Sequence, residues 1–386
     1  MFRKTITRVA VRLLKKKGYS AYMAPQVWRY LCDDFFGNSG ATLRTKLWAY
    51  NHGFLSEQIS RYGLNDANCM SHLPDFDYWK MHPINGRYSK WIDDKLTMRY
   101  IFDVYADYMP KYYYQLENGR VLPLIDCPQS PAAIPSLDSI LVLLQERVSL
   151  ALKPLVGSGG AGFCKLSYSG DNFCLNEKHA SRVQMLDFLR SLDNYIVTEY
   201  ITSHAAIRAV YDVTPNTLRL MVIHDEQNGP RITGAFMRFG IKQTGMVDNA
   251  GAGAIYCGVT LSEGQMFSPK RDVDGKAIDV DVHPDTGVPI AGRLPHWHLV
   301  TAKVIEIAHA FPQIRYMGLD IIITDSAFKI IEINSHQNLR HIEPYYPVMQ
   351  NEYCRRFFGS MLKGAGQKRR IAGHIKRPSV DVRTEN

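Results

Sequence analysis

The sequence predicts an α+β protein with a mostly helical region at its N-terminal end. Three observations carry this. Residues 1–90 are aromatic-rich and space their apolar residues at a helical period, with no detectable internal repeat. Residues 149–201 alternate like strands around a glycine cluster and a Ser169-Gly170-Asp171-Asn172 turn. Residues 317–334 read as two apolar strands joined through Asp325-Ser326-Ala327, with polar residues set inside them.

The bulk properties narrow the class. A chain of 386 residues, 46% apolar and 22% charged, is long enough for two or three domains with real cores. The net charge is +9, but the first 17 residues hold seven Lys/Arg and no acid, and a second basic run spans Lys363 to Arg383. The middle is close to balanced, so a nucleic-acid face is not expected. Seven scattered cysteines form no Cys-x-x-Cys pair, which leaves zinc ribbons and disulfide frameworks unsupported. A reducing, cytoplasmic setting fits best. No apolar run approaches the roughly 18 residues of a membrane span, and the N-terminus lacks the pattern of a secretion signal. Ile6 to Lys17 reads as a short basic amphipathic helix. Such a helix either packs on its own domain or makes a peripheral contact with anionic lipid at the inner face of the membrane.

The elements follow in order. Ser89 to Lys95 leads into a helical pattern that stops before Pro110. Strand-like pieces occupy 112–124, and a Pro-rich loop runs to Pro135. Ser136 opens a capped helix. Ser149 to Pro154 is a strand that carries Lys153 into the glycine loop. Asn176 to Leu192 reads as a helix and Tyr195 to Ile201 as a strand. Residues 216–241 suggest a strand pair around Asp225 to Gly229, and 242–294 a set of short strands and loops. Pro295 starts a helix that ends at Ala310, with Pro312 closing it. The His296-Trp297-His298 run within it reads as a helix start rather than a metal pair. The last ~25 residues read as a frayed basic tail.

The glycine loop, Gly157 to Gly162, holds four glycines in six positions. A Walker loop needs Lys-Ser/Thr after the last glycine, and Phe163-Cys164 stands there instead. A dinucleotide-binding turn needs a following helix, whereas Phe163 to Tyr168 alternates as a strand. Two readings remain: a glycine flap between two strands, whose backbone N–H groups close over phosphates, and a Gly-rich hairpin loop that holds no ligand. Lys153, within Leu-Ala-Leu-Lys-Pro-Leu, needs a partner for its charge.

The apolar strand pair carries the acidic end of a site. Glu332 and Asn334 are two apart and share a face. With the turn at Asp325 to Ala327, Asp320 lies opposite Glu332, and paired positions bring Cβ atoms within about 5 Å. Carboxylates at that distance repel unless a cation lies between them or one is protonated. Two carboxylates and an amide oxygen inside Ile/Leu-rich strands suit Mg²⁺ bridging phosphates; an edge strand with one wet face is the competing reading.

In order, Asp93-Asp94-Lys95 before a helix, Lys153-Pro154 with the glycine loop, Glu199-Tyr200-Ile201, Asp320 and Glu332-x-Asn334 resemble the ATP-grasp superfamily. Asn216 to Arg219, Arg238-Phe239-Gly240, Val247-Asp248-Asn249 and Gly318-Leu319-Asp320 resemble, more narrowly, its sugar-transfer-associated group. The resemblance implies an ATP-grasp fold, in which two α+β subdomains clamp ATP between antiparallel sheets. The expected organisation is a helical pre-ATP-grasp region at 1–90, the first part of the core at 91–148, a glycine-flap lid at 149–202, a Mg²⁺-binding catalytic subdomain at 203–360 and a basic tail at 361–386.

The resemblance also implies roles. Lys95 and Lys153 would grip the α- and β-phosphates, with Gly159, Gly160 and Gly162 in the flap. Glu199, Tyr200 and Ile201 would hold the adenine and ribose, with His204 near the ribose end. Asp320, Glu332 and Asn334 would hold the metal. Arg219 and Arg238, each between apolar neighbours, need anions, and the γ-phosphate and an acyl phosphate are natural ones; a structural Arg–Asp pair is the competing reading. Asn249 would orient substrate or metal. Some related ligases carry an arginine two residues before the first metal aspartate, where this chain has Gly318. His336, Arg340 and Glu343 follow the metal strand and would face the acceptor, while Lys165 reads as a flap surface residue. The implied activity is an ATP-dependent carboxylate–amine ligase working through an acyl phosphate. Its cofactors would be ATP and Mg²⁺. Its substrates would be a carboxylate of uronic-acid type and an amine or amino acid, in bacterial surface polysaccharide or capsule assembly. The alternatives are a kinase acting on a hydroxyl and a non-catalytic ATP-binding scaffold. A protein kinase is excluded, since neither His-Arg-Asp nor Asp-Phe-Gly occurs.

Overall fold

A computed structural model describes residues 2–372, apart from 38–40, 129–133, 158 and 274–275. Its contacts divide the chain into two units. Of the described residues, one gathers those up to 59, 63–84 and 347–372; the other gathers 60–62 and those of 85–346.

The first unit is helical. Its elements are α1 (Phe2–Lys16), α2 (Met23–Phe36), α3 (Leu43–Asn51), α4 (Glu57–Tyr62, whose end belongs to the second unit), α5 (Asp75–Lys80) and, after the second unit, the last helix (Glu352–Ala372). Val11, Leu14, Leu31 and Trp79 pack around a buried cluster of Tyr19, Met23, Ala24 and Val27. Lys46 is buried, and its ammonium donates to the carbonyls of Asp34 and Phe35 at 2.6 and 3.0 Å, satisfying the open end of α2. The last helix runs to Ala372, so the first part of the segment expected to fray is helical. Its Lys, Arg, Gln and Ala residues favour that state. The rest of the expected tail, 373–386, lies outside the described residues.

The second unit holds two antiparallel sheets. Its helices are α6 (Lys90–Asp93), α7 (Lys95–Ile101), α8 (Leu137–Arg147), α9 (Arg182–Ser191), α10 (Ala205–Arg208) and α11 (Trp297–Ala310), so the last helix of the first unit is α12. The first sheet comprises β1 (Tyr112–Glu117), β2 (Arg120–Pro123), β3 (Ser149–Pro154), β4 (Cys164–Ser169), β5 (Asn172–Leu175), β6 (Lys178–Ala180) and β7 (Tyr195–Glu199), in the order β2-β1-β7-β3-β4-β5-β6. Leu150 and Leu152 of β3 point to the face covered by α8 and α9, into a cluster with Leu144, Met185 and Leu189. Period-two alternation therefore sends Lys153 to the other face.

The second sheet comprises β8 (Leu218–Asp225), β9 (Gly229–Phe239), β10 (Ile255–Val259), β11 (Gln265–Val273), β12 (Lys276–Asp279), β13 (Gly292–Arg293), β14 (Tyr316–Ile323) and β15 (Phe328–Asn334). The order is β12-β11-β10-β9-β8-β14-β15, with β13 on β11. Leu218, Leu220 and Val222, Met317, Leu319 and Ile321, and Ala235 and Met237 pack with Trp297, Val300, Val304 and Ile307 of α11. The alternate positions of the same strands carry Arg219, Asp320 and Arg238, which therefore line the opposite face.

Two expected elements differ. Asn176 and Glu177 adopt positive φ of 49° and 65° and turn the chain into β6, so the helix begins only at Arg182. Ser181 then caps it through a reciprocal bond with Gln184. At the later helix, Pro295 lies outside the first turn: His296, with φ of 54°, is the cap residue and Trp297 the first helical one. All seven cysteines are free thiols. Among the described residues no helix is long and apolar enough to cross a membrane.

Candidate active site

The polar row is built across three strands. β14 pairs Asp320 with Glu332 of β15 on one side and with Arg219 of β8 on the other. A bulge in the β14–β15 pairing, between Asp320 and Ile321, shifts the register, so that Ile330 and Ile333 both reach the core while Glu332 and Asn334 stay on the polar face.

Asp320 is buried and gathers the two arginines. Arg219 donates to both of its oxygens, through Nε at 2.6 Å and Nη2 at 2.8 Å. Arg238 adds Nη2 at 2.8 Å. Burial alone would raise the Asp320 carboxyl, but the two guanidinium groups outweigh it and hold it below the usual carboxylate range. The anion facing Arg219 and Arg238 is thus Asp320 itself, the pairing that competed with a phosphate role. Arg238 also donates through Nε to the Thr217 hydroxyl at 2.8 Å, and Asp248 accepts from that hydroxyl at 2.6 Å.

Two lysines approach the same row. Lys95 is the first residue of α7, which Asp94 caps by accepting from the Thr97 N–H at 2.7 Å. Its ammonium lies 3.8 Å from Glu332. Lys153 has no ion-pair or hydrogen-bond partner for its ammonium among the described residues. Desolvation, with Lys95 adding, pushes its pKa down to about 8, against the pull of Glu332 and Asp320.

The glycine flap rests on the connection between β9 and β10. Gly159 and Gly160 have φ of 68° and 76°. A Cβ on Gly159 would meet Asn249 Nδ2 at 2.7 Å, and one on Gly160 would meet Val247 Cγ1 at 2.6 Å. Asn249 donates to the Gly159 carbonyl at 3.0 Å, while its Oδ1 accepts from the Gly251 N–H at 3.0 Å. Gly162, also at positive φ, sits against Pro154 and Tyr195. Asn249 therefore touches the flap, and no contact joins it to Asp320 or Glu332 among the described residues.

Beyond the flap, Glu199 ends β7 and accepts from the Lys111 N–H at 3.1 Å. Tyr200 lies under the Lys165 ammonium, 4.6 Å from its ring centre, and Lys165 pairs with Glu177 at 2.6 Å. Ile201 is buried. His204 caps α10, its ring accepting from the Ala206 N–H at 3.0 Å.

The profile of the family described as sugar-transfer associated ATP-grasp matches residues 81–346. The chain belongs to this ATP-grasp family. No curated protein matches it in sequence. Among solved structures it is similar to the ATP-grasp ligase PsnB complexed with a minimal precursor, at 11% identity and a TM-score of 0.38, over 73% of this chain and 63% of that one. The D-alanine–D-alanine ligase of Bacillus anthracis gives 11% identity and 0.38, over 72% and 71%. The biotin carboxylase domain of the Hydrogenobacter thermophilus 2-oxoglutarate carboxylase, solved with MgADP and bicarbonate, gives 11% and 0.37, over 71% and 46%. The chain thus spans less than two thirds of the first of these.

In this ATP-grasp protein the glycine two residues before β14's aspartate is explained by packing. A Cβ on Gly318 would lie 2.6 Å from the Gln337 amide, so the glycine makes room for Gln337, which accepts from Arg219 at 3.4 Å. Gln337 was not singled out from the sequence; only the missing side chain at Gly318 hinted that something fills that space. Arg340 and His341 turn instead toward Asp272, at 4.0 and 3.6 Å, and Asp272 also accepts from Arg61 and Tyr256, each at 2.9 Å. Burial pushes His341 down to about 4, so it is neutral there at pH 7. Glu343 is fully buried and His336 half-buried.

The donor chemistry fits Mg²⁺. Glu332 and Asn334 present oxygens on one face, and the Asn334 amide donates to the Gly318 carbonyl at 3.3 Å, leaving its oxygen as an acceptor. Asp320 is the third donor, here engaged by Arg219 and Arg238. Among the described residues no cluster of three His, Cys, Asp or Glu stands ready for a metal. The set is therefore a carboxylate pair with an amide, the kind that shares a hard cation with phosphate oxygens. Lys153, desolvated and with no bonded acid among the described residues, fits a phosphate.

Proposed function

We propose that this ATP-grasp protein is an ATP-dependent carboxylate–amine ligase. The observation that carries the reading is Lys153 of the first sheet, desolvated, with no bonded acid among the described residues, and within electrostatic reach of Lys95, Glu332 and Asp320. An anion with several oxygens answers that charge pattern, and the family's own description names ATP.

Lys95 and Lys153 hold the phosphates, and Gly159, Gly160 and Gly162 cover them with backbone N–H groups. Glu199, Tyr200 and Ile201 take the adenine and ribose, next to His204. Mg²⁺, held by Glu332 and Asn334 with Asp320, would offset phosphate charge when bound. A carboxylate oxygen attacks the γ-phosphorus and ADP departs, leaving an acyl phosphate. The amine nitrogen then attacks the acyl carbon; phosphate leaves and one proton is released. The chain contributes position and fixed charge, and the seated flap keeps water from the acyl phosphate. Arg219 and Arg238 act by holding Asp320, and Asn249 acts by holding the flap. The sugar association of the family supports a uronic-acid-type carboxylate and an amino acid as the joined pair, in surface polysaccharide assembly.

Phosphorus NMR of the protein with Mg-ATP, uronic-acid glycans and mixed amino acids tests this. ADP and inorganic phosphate are expected only when carboxylate and amine are both present. A stable phosphate ester would overturn the ligase reading in favour of a kinase. Glu332→Gln is expected to lower turnover by about 100-fold or more while retaining the melting temperature; full activity in that variant would remove Glu332 from the site.

A further inference from the structure

We propose that α1 is a docking face for an anionic lipid bilayer. The helix has two separate apolar edges. Val11 and Leu14 pack on the Tyr19, Met23, Ala24 and Val27 cluster and fix the helix to its unit. Ile6, Val9 and Leu13, spaced i, i+3, i+7 and therefore on one stripe, remain 43%, 54% and 54% exposed. Lys4, Arg8, Arg12, Lys15 and Lys16 are all exposed along the same helix. The helix holds no acidic residue, and the first acid of the chain is Asp33. A stripe of apolar side chains beside the basic residues of a helix with no acid of its own is complementary to a surface that is negative outside and apolar just beneath. An acidic protein groove would match the charge; the isolated, shallow stripe suits the boundary of headgroups and acyl chains.

The same helical unit is rich in uncovered apolar surface. Among the described residues, nine of the 21 exposed large apolar side chains lie in the first 84 positions, including Phe36 at 82% and Leu43 at 60%.

Sedimentation of the full chain with vesicles tests the idea. Phosphatidylcholine vesicles, with and without phosphatidylglycerol, are compared for the wild type and for Val9→Ser/Leu13→Ser, which removes apolar surface without changing charge or touching the packed edge. The wild type is expected to pellet with anionic vesicles and not with neutral ones, and to be released near 1 M salt, where screening reaches about 3 Å. The double variant, with unchanged helical circular dichroism, is expected to bind at least about fivefold more weakly. Equal binding by the double variant would reduce the effect to adsorption of a basic protein and overturn the proposal. Failure to pellet with anionic vesicles would also overturn it, as would a monomer–dimer shift abolished by the same substitutions, which would give the face to a second copy. Turnover by the soluble protein is unaffected in every case, so this result stands apart from the ligase test.

Discussion

A lysine on an apolar strand costs the fold something and has to return it through binding. Lys153 shows both sides. Its folded pKa, about 8, lies below that of an unfolded lysine, near 10.4. The unfolded chain therefore binds more protons between those values, and this residue's contribution to stability rises as pH climbs from 8 toward 10. The sign for ATP is opposite, because a phosphate needs the charged form. ATP affinity is expected to be level just below pH 8 and to weaken above it by up to about tenfold per pH unit. Calorimetry should show proton uptake on binding in that range, and Lys153→Met should abolish both the slope and the uptake. Asp320 makes a second case. Asp320→Asn leaves Arg219 and Arg238 facing a neutral amide in a buried setting, and a loss of about 3–5 kcal/mol in urea unfolding is expected. The sequence placed each of these three residues in an apolar strand that needed a charge partner. It did not show that they partner one another, because Arg219 and Asp320 lie 101 positions apart and meet only through the pairing of β8 with β14.

Elements made of local signals were readable, and those made by neighbours were not. Asp320 opposite Glu332 followed from two apolar runs and a short turn. The capped start of α8 was likewise written at Ser136, whose side chain and that of Ser139 exchange bonds with the backbone. Asn176 to Ala180 went the other way: little in that segment signals a strand, and β6 exists because β5 offers it partners, Phe173 to Ala180 and Leu175 to Lys178. The flap's seat was equally hidden, since Val247 and Asn249 come from a distant connection. It yields a paired prediction. Gly160→Ala places a methyl against Val247 at positive φ and is expected to raise the KM for ATP by about tenfold, the strain of a left-handed alanine costing about 1–2 kcal/mol. Adding Val247→Ala should recover part of the loss. Steady-state kinetics on the single and double variants distinguish this from simple unfolding, which a second truncation would worsen.

At the scale of the molecule, the helical unit is closed by both ends of the chain. Phe357 and Phe358 of α12 are fully buried, and the Phe358 ring meets Tyr78 edge-on at 6.3 Å between centres. Phe358→Ala should cost about 3–5 kcal/mol, read as an earlier denaturant transition in helical circular dichroism. The basic composition of α12 hid this, since its charged half read as a tail while its aromatic half anchors a core.

Strand β14 also imposes a schedule on synthesis. It must insert between β8 and β15, yet roughly 90 residues separate the end of β8 from its start, about 5–20 s of translation at ordinary ribosomal speed. During that interval β9 covers one edge of the Leu218–Ile223 run, and the other edge stands open with its apolar side chains unburied. Nascent chains halted near residue 310 are therefore expected to hold chaperones or aggregate, and chains released past Asn334 to fold.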